Sequence, residues 1–132
     1  MPPERDAPGT AEGWLKRAKG DLALCRAPLP KGAFLEDLCY HAQQAAEKAL
    51  KAVYRRNGWV FRYTHDLDEL IEGVRAEGLE VPPEIAEAVI LNSYSAEARY
   101  PSLSEPVNTE EYHEAVRLAE AVVAWAEKEI LK

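Results

Sequence analysis

Apolar residues recur at three- and four-residue steps along most of the chain, the spacing that lines one face of an α-helix. Trp14, Leu15, Ala18, Leu22 and Cys25 open the pattern. Pro28, Pro30 and Gly32 close it, which predicts a first helix over 13 to about 27. The longest periodic stretch runs over 34–57 and stops at Asn57-Gly58. Residues 59–65 are aromatic and β-branched with no evident partner strand, and read as an ordered connection. Thr64 is expected to cap a third helix over 66–76, with acidic residues in the first turn and His65 just inside it. Gly78 and Pro82-Pro83 break that helix. A fourth is expected from Pro83 or Glu84 through Ile85, Val89 and Ile90 to about 98, ended by Arg99-Tyr100-Pro101. After a loop over 102–107, Asn108 and Glu111 form a capping box for a last helix. Tyr112, Val116, Ala119, Val123, Ala126 and Ile130 share one face of it. Residues 1–12, rich in Pro, Gly and charge, predict a flexible N-terminal arm, which leaves 13–132 as a single helical domain. Five helices joined by short loops predict an all-α, up-and-down four- to five-helix bundle.

Composition points the same way. Ala (21) and Leu (14) outnumber Val (9), Ile (4) and Thr (3) by 35 to 16. Ala and Leu lose little entropy in a helix, whereas β-branched residues suit strands. No apolar run reaches 18 residues, so no membrane span is expected. The first residues lack a basic-then-apolar leader pattern, and a cytoplasmic location is expected. Cys25 and Cys39 form no CxxC pair and are expected to be buried free thiols. The net charge of −7 disfavours nonspecific coating of duplex nucleic acid, which needs many Lys/Arg–phosphate contacts. That charge is uneven: 1–56 carry net +3 and 57–132 carry net −10. An acidic protein of this kind can still hold a local positive pocket.

The second helix carries the most suggestive chemistry. At 100° per residue, Leu38, Ala42, Ala45, Ala46, Ala49, Leu50, Ala52 and Val53 fall on one broad face. His41, Gln44, Lys48 and Lys51 line one edge of it, with Tyr40, Glu47 and Tyr54 farther round. A row of imidazole, amide and ammonium groups beside an Ala-rich seam offers donors and positive charge next to coverable surface. The same row also describes an ordinary solvated helix border. His65 is a second candidate and equally a first-turn capping residue. Tyr94, Arg99 and Tyr100 form a third group, although a cation near a helix C-terminus is stabilised by the dipole without any functional need. Glu110 and His113 have ExxH spacing, but a di-iron bundle needs two such helices and two further carboxylates. No metal and no cofactor are therefore expected. The chain has no GxGxxG, P-loop or GxSxG motif, and no catalytic residue is assigned.

Several stretches taken together resemble one family. They are Trp14-Leu15 with Ala18 and Asp21-Leu22, the run from Cys39 to Ala52, Thr64-His65-Asp66-Leu67, and Tyr94 with Ala98-Arg99-Tyr100-Pro101. Over roughly 13–130 the chain resembles the HEPN domain, the higher-eukaryote and prokaryote nucleotide-binding domain. The resemblance implies a helical bundle that commonly forms a homodimer. It also implies a minimal nucleotidyltransferase partner in a toxin–antitoxin-like pair. Many HEPN proteins are metal-independent ribonucleases that use an Arg followed by four to six residues and a His. Here no His falls five to seven positions after any Arg, and the first His after Arg99 is His113. Ribonuclease activity is therefore not carried over. What the resemblance implies instead is a ligand-binding set of His41, Gln44, Lys48, His65, Tyr94, Arg99 and Tyr100, taking a nucleotide or an RNA end. One alternative is a structural interaction protein without a ligand, whose acidic second half docks a basic partner. Another is a ribonuclease in which His41 or His65 meets Arg99 in space.

Overall fold

The computed structural model describes residues 9–95 and 106–132. Residues 1–8 of the expected N-terminal arm, Arg99, Tyr100 and the 102–105 part of the expected 102–107 loop lie outside the described residues.

Helix α1 (Ala11–Cys25) starts where the Thr10 hydroxyl accepts from Gly13 N at 2.9 Å. That threonine N-cap brings the start two residues ahead of the expected Gly13. Helix α2 (Leu35–Arg56) begins with Asp37 accepting from Phe34 N at 3.1 Å. It ends at Gly58, whose φ of 72° lets Trp59 N donate back to Tyr54 O at 2.9 Å. Gly58 N bonds Arg55 O at 3.2 Å, which completes a Schellman cap where Asn57-Gly58 predicted a stop.

Helix α3 (Leu67–Ala76) corrects one expectation. Its N-cap is Asp66, whose carboxylate accepts from Asp68 N at 2.9 Å. Thr64 Oγ1 accepts from Asp66 N at 3.1 Å and forms a turn before the helix. Both side chains can cap, but the carboxylate adds charge complementary to the helix N-terminus. His65 consequently sits in the connection, outside the helix.

The expected fourth helix is one α-helical turn, α4 (Pro83–Ala86), continued as a 3₁₀ run over Glu87–Tyr94. Its buried residues Ile85, Ala88 and Leu91 are spaced by three, and Tyr94 packs against the same core. A 3₁₀ helix has three residues per turn, so such positions stack in one line. In an α-helix they would rotate about 60° at each step.

Helix α5 (Thr109–Leu131) carries the expected capping box, with Glu111 N to Asn108 Oδ1 at 2.8 Å and Asn108 N to Glu111 Oε1 at 3.1 Å. The elements form an all-α, up-and-down bundle, with no strand among the described residues. Helix α2 runs through its centre and packs on α1, α3, α5 and the 3₁₀ run. All eight residues expected on its core face are buried. Burial continues around it through Gln43, Glu47, Lys51 and Tyr54. The Tyr54 hydroxyl donates to Leu70 O at 2.7 Å, and a Cβ on Gly73 would lie 2.0 Å from that hydroxyl. Glycine at 73 therefore sets how closely α3 approaches α2. Cys25 and Cys39 are buried thiols, as expected. No helix among the described residues is long and apolar enough to cross a membrane.

Candidate functional site

Two carboxylates organise the polar side chains of α2. Asp21 lies on the buried stripe of α1 with Ala18, Leu22 and Cys25. One of its oxygens is 2.9 Å from His41 Nδ1 and the other 2.6 Å from Lys48 Nζ. Glu47, only 2% exposed, repeats the arrangement. Its Oε1 is 2.9 Å from His65 Nδ1 and its Oε2 is 2.9 Å from Lys51 Nζ. Fully buried Gln43 donates to Glu47 Oε1 at 3.2 Å and to His65 O at 3.0 Å. Gln43 also accepts from Gln44 Nε2 at 2.7 Å. The ammonium of Lys51 stands 5.4 Å from the Trp14 and Phe61 ring centres and 5.9 Å from that of Tyr63. Those rings supply the cation–π contacts a buried ammonium needs where one carboxylate is its partner.

This geometry has chemical consequences. A carboxylate at Nδ1 selects the tautomer with hydrogen on Nδ1, so Nε2 is turned away from it. Both histidine side chains are about one-third exposed, at 32% and 30%, while their carboxylates are buried. With neutral imidazole each cluster holds one negative and one positive charge. Each gains a net positive charge only when its histidine is protonated.

The expected site residues are distributed unevenly. His41 and Lys48 meet on Asp21, and Gln44 reaches His65 through Gln43. His65 borders an open cleft of about 370 Å³, lined also by Tyr63, Thr64, Asp66, Asn92 and Ser95. Tyr94 faces elsewhere. It lines a separate pocket of about 260 Å³ with Ile90, Leu118 and the carboxylates of Glu110, Glu111 and Glu114. Burial pushes the Tyr94 hydroxyl up to a pKa of about 12. Among the described residues, no group of three or more His, Cys, Asp or Glu side chains can hold a metal ion.

Sequence reasoning missed Asp21, Gln43 and Glu47 as parts of the site. Asp21 is an acidic residue inside an apolar α1 stripe. Gln43, Glu47 and Lys51 recur every four residues, a polar row that only a helix buried on all sides would enclose.

The architecture defines an all-helical bundle whose central helix braces two histidines on buried carboxylates. The chain belongs to the HEPN domain family, which matches residues 11–130. It is similar to TT1696 from Thermus thermophilus, with 31% identity, a TM-score of 0.77, and coverage of 90% of this chain and 97% of that one. It is also similar to ST0689, an archaeal HEPN homologue, with 25% identity, a TM-score of 0.69, and coverage of 92% and 98%. No curated protein matches the chain.

Proposed function

We propose that this chain is a nucleotide- or RNA-end-binding HEPN module that works as a homodimer. Its partner in this reading is a minimal nucleotidyltransferase, in a toxin–antitoxin-like pair. The observation that supports it best is Asp21, which holds His41 and Lys48 side by side at a partly buried edge of α2. There an imidazolium and an ammonium can face one phosphate, with Gln44 as a neutral donor beside them. Arg99 and Tyr100 belong to the proposed set through sequence resemblance.

Calorimetry with nucleoside triphosphates and short RNAs tests the reading. His41→Ala, Lys48→Ala and Arg99→Ala should each weaken binding by about tenfold or more. No binding by the wild-type protein, or wild-type affinity in all three variants, sinks it.

One observation favours a second reading, a structural interaction protein without a ligand. Lys48 and Lys51 each already face a carboxylate. Co-expression with a nucleotidyltransferase separates the two. A stable complex that forms without nucleotide, from a protein that binds none, supports the second.

A further inference from the structure

The cleft beside His65 has the opposite chemistry to a phosphate site. Among the described residues that line it, none is Lys or Arg. Its charged acceptor among the described residues is the Asp66 carboxylate. Asp66 commits Oδ1 twice, to Asp68 N and to Asn92 Nδ2. Its other oxygen has no hydrogen-bond partner among the described residues. Tyr63 lies 3.2 Å from His65 Nε2 through its hydroxyl. Nδ1–H of His65 is turned to Glu47, so the tyrosine hydroxyl donates to Nε2 and keeps its lone pairs for the cleft. Asn92 accepts from Leu67 N and gives one of its two amide hydrogens to Asp66. Beside these acceptors Tyr63 is 82% exposed, with His65 standing edge-on to its ring at 5.2 Å. At about 370 Å³ the cleft lies within the range of small-molecule sites.

We infer that this cleft is a subsite for an amino-bearing nucleobase, stacked on Tyr63 and donating its exocyclic amine to the free oxygen of Asp66. Arg62, whose charge acts on Asp66, is committed to Glu69 at 2.6 Å, so among the described residues no uncommitted cation would offset the Asp66 carboxylate against a phosphate, and the cleft suits the base end of a ligand. The inference rests on the nucleotide-binding reading and deepens it by assigning base recognition to the residues of this cleft.

Titration with adenosine, inosine, cytidine and uridine reads this assignment, because inosine and uridine carry a carbonyl where the others carry an amine. Wild-type protein should favour adenosine over inosine, and cytidine over uridine, by about tenfold or more, the worth of one hydrogen bond to a charged acceptor. Tyr63→Ala should weaken all four by about fivefold or more through lost stacking. Asp66→Asn is the decisive variant. The bonds from Asp68 N and Asn92 Nδ2 keep the amide oxygen inward as the helix cap, so the amide nitrogen turns out as a donor. The preference should then invert toward inosine and uridine, a change that loss of a helix cap alone does not produce. Melting temperatures near wild type confirm that both variants fold. Equal affinity for adenosine and inosine, no nucleoside binding, or unchanged preference in Asp66→Asn overturns the inference. If nucleotides bind and only the His41 and Lys48 variants lose them, the phosphate reading survives and this subsite falls. If adenosine binds as tightly as its phosphorylated forms, the subsite stands and the phosphate reading falls.

Discussion

Asp21 and Glu47 each hold two partners that compete for the same charge. A neutral histidine at either carboxylate should carry its hydrogen on Nδ1, which side-chain ¹⁵N NMR of His41 and His65 reads directly. Asp21→Asn should free the His41 ring to sample both tautomers and cost about 1–3 kcal/mol, since Lys48 loses its anion while three-quarters buried. Urea denaturation measures that cost, and an unchanged midpoint argues against a braced cluster. Cys25 shows a different consequence of burial. Desolvation pushes its thiol up to a pKa of about 11, from an ordinary value of 9.0. Below pH 9 both folded and unfolded chains keep that proton. Between pH 9 and pH 11 the unfolded chain releases it first, so stability falls as pH rises. Tyr94, raised from 10.0 to about 12, extends the loss to higher pH. The melting temperature should therefore drop above pH 9, and Cys25→Ser should flatten the first part of that drop. The native thiol should also resist maleimide at neutral pH until the protein is unfolded.

Among the elements, the α2–α3 contact depends on the absence of a single carbon. Gly73→Ala places a methyl group against the Tyr54 hydroxyl, which is itself bonded to Leu70 O. The variant should lose about 1–3 kcal/mol, as overpacked cores do. Tyr54→Phe removes the clashing oxygen at the cost of one hydrogen bond. In a double-mutant cycle Gly73→Ala should therefore cost less in the Tyr54→Phe background than in wild type. Additive losses in thermal melts would show that the two elements separate instead. The connection over 59–66 is held by comparable contacts. Trp59 and Phe61 pack edge-on against Tyr54 at 6.0 and 5.5 Å, and Phe61 also meets Trp14 at 6.0 Å. The aromatic content that marks this segment as ordered is also what anchors it, since its rings reach the core without any strand partner.

Across the bundle as a unit, α2 is enclosed so fully that a Lys–Glu pair lies in the interior. Lys51 and Glu47 have side chains 4% and 3% exposed. Removing one partner of a buried pair leaves an uncompensated charge, at a cost of about 3–5 kcal/mol. Lys51→Met should approach that loss near pH 8. Glu47→Gln combined with Lys51→Met should be milder than Lys51→Met alone, because no unpaired charge remains. Equal destabilisation of the single and the double variant in urea would argue against an uncompensated charge on Glu47. The exposed ion pairs of Lys19 with Glu127 and of Arg26 with Glu120 tie α1 to α5, and being half-exposed they contribute little by comparison.

The helical class, most helix ends and the core face of α2 are legible in the residues alone. They follow from local rules: three- and four-residue periodicity, Asn57-Gly58 as a left-handed stop, and Asn108 with Glu111 as reciprocal caps. His41, Gln44 and Lys48 are legible as neighbours too, because residues on one helix edge are close in any packing. What those residues do to one another depends on the assembled bundle. Asp21 arrives from α1, 20 residues before His41 in the chain, and no spacing rule within α2 can announce it. His65 reaches Glu47 across 18 residues, while Tyr94 turns from the cleft that Asn92 and Ser95 line. The choice of Asp66 over Thr64 as cap is likewise settled by Asn92, which ties Asp66 and Leu67 to the 3₁₀ run. Periodicity tells which side of a helix is buried. The charge partner on a buried side comes from another element, whose position depends on the packing of the whole chain.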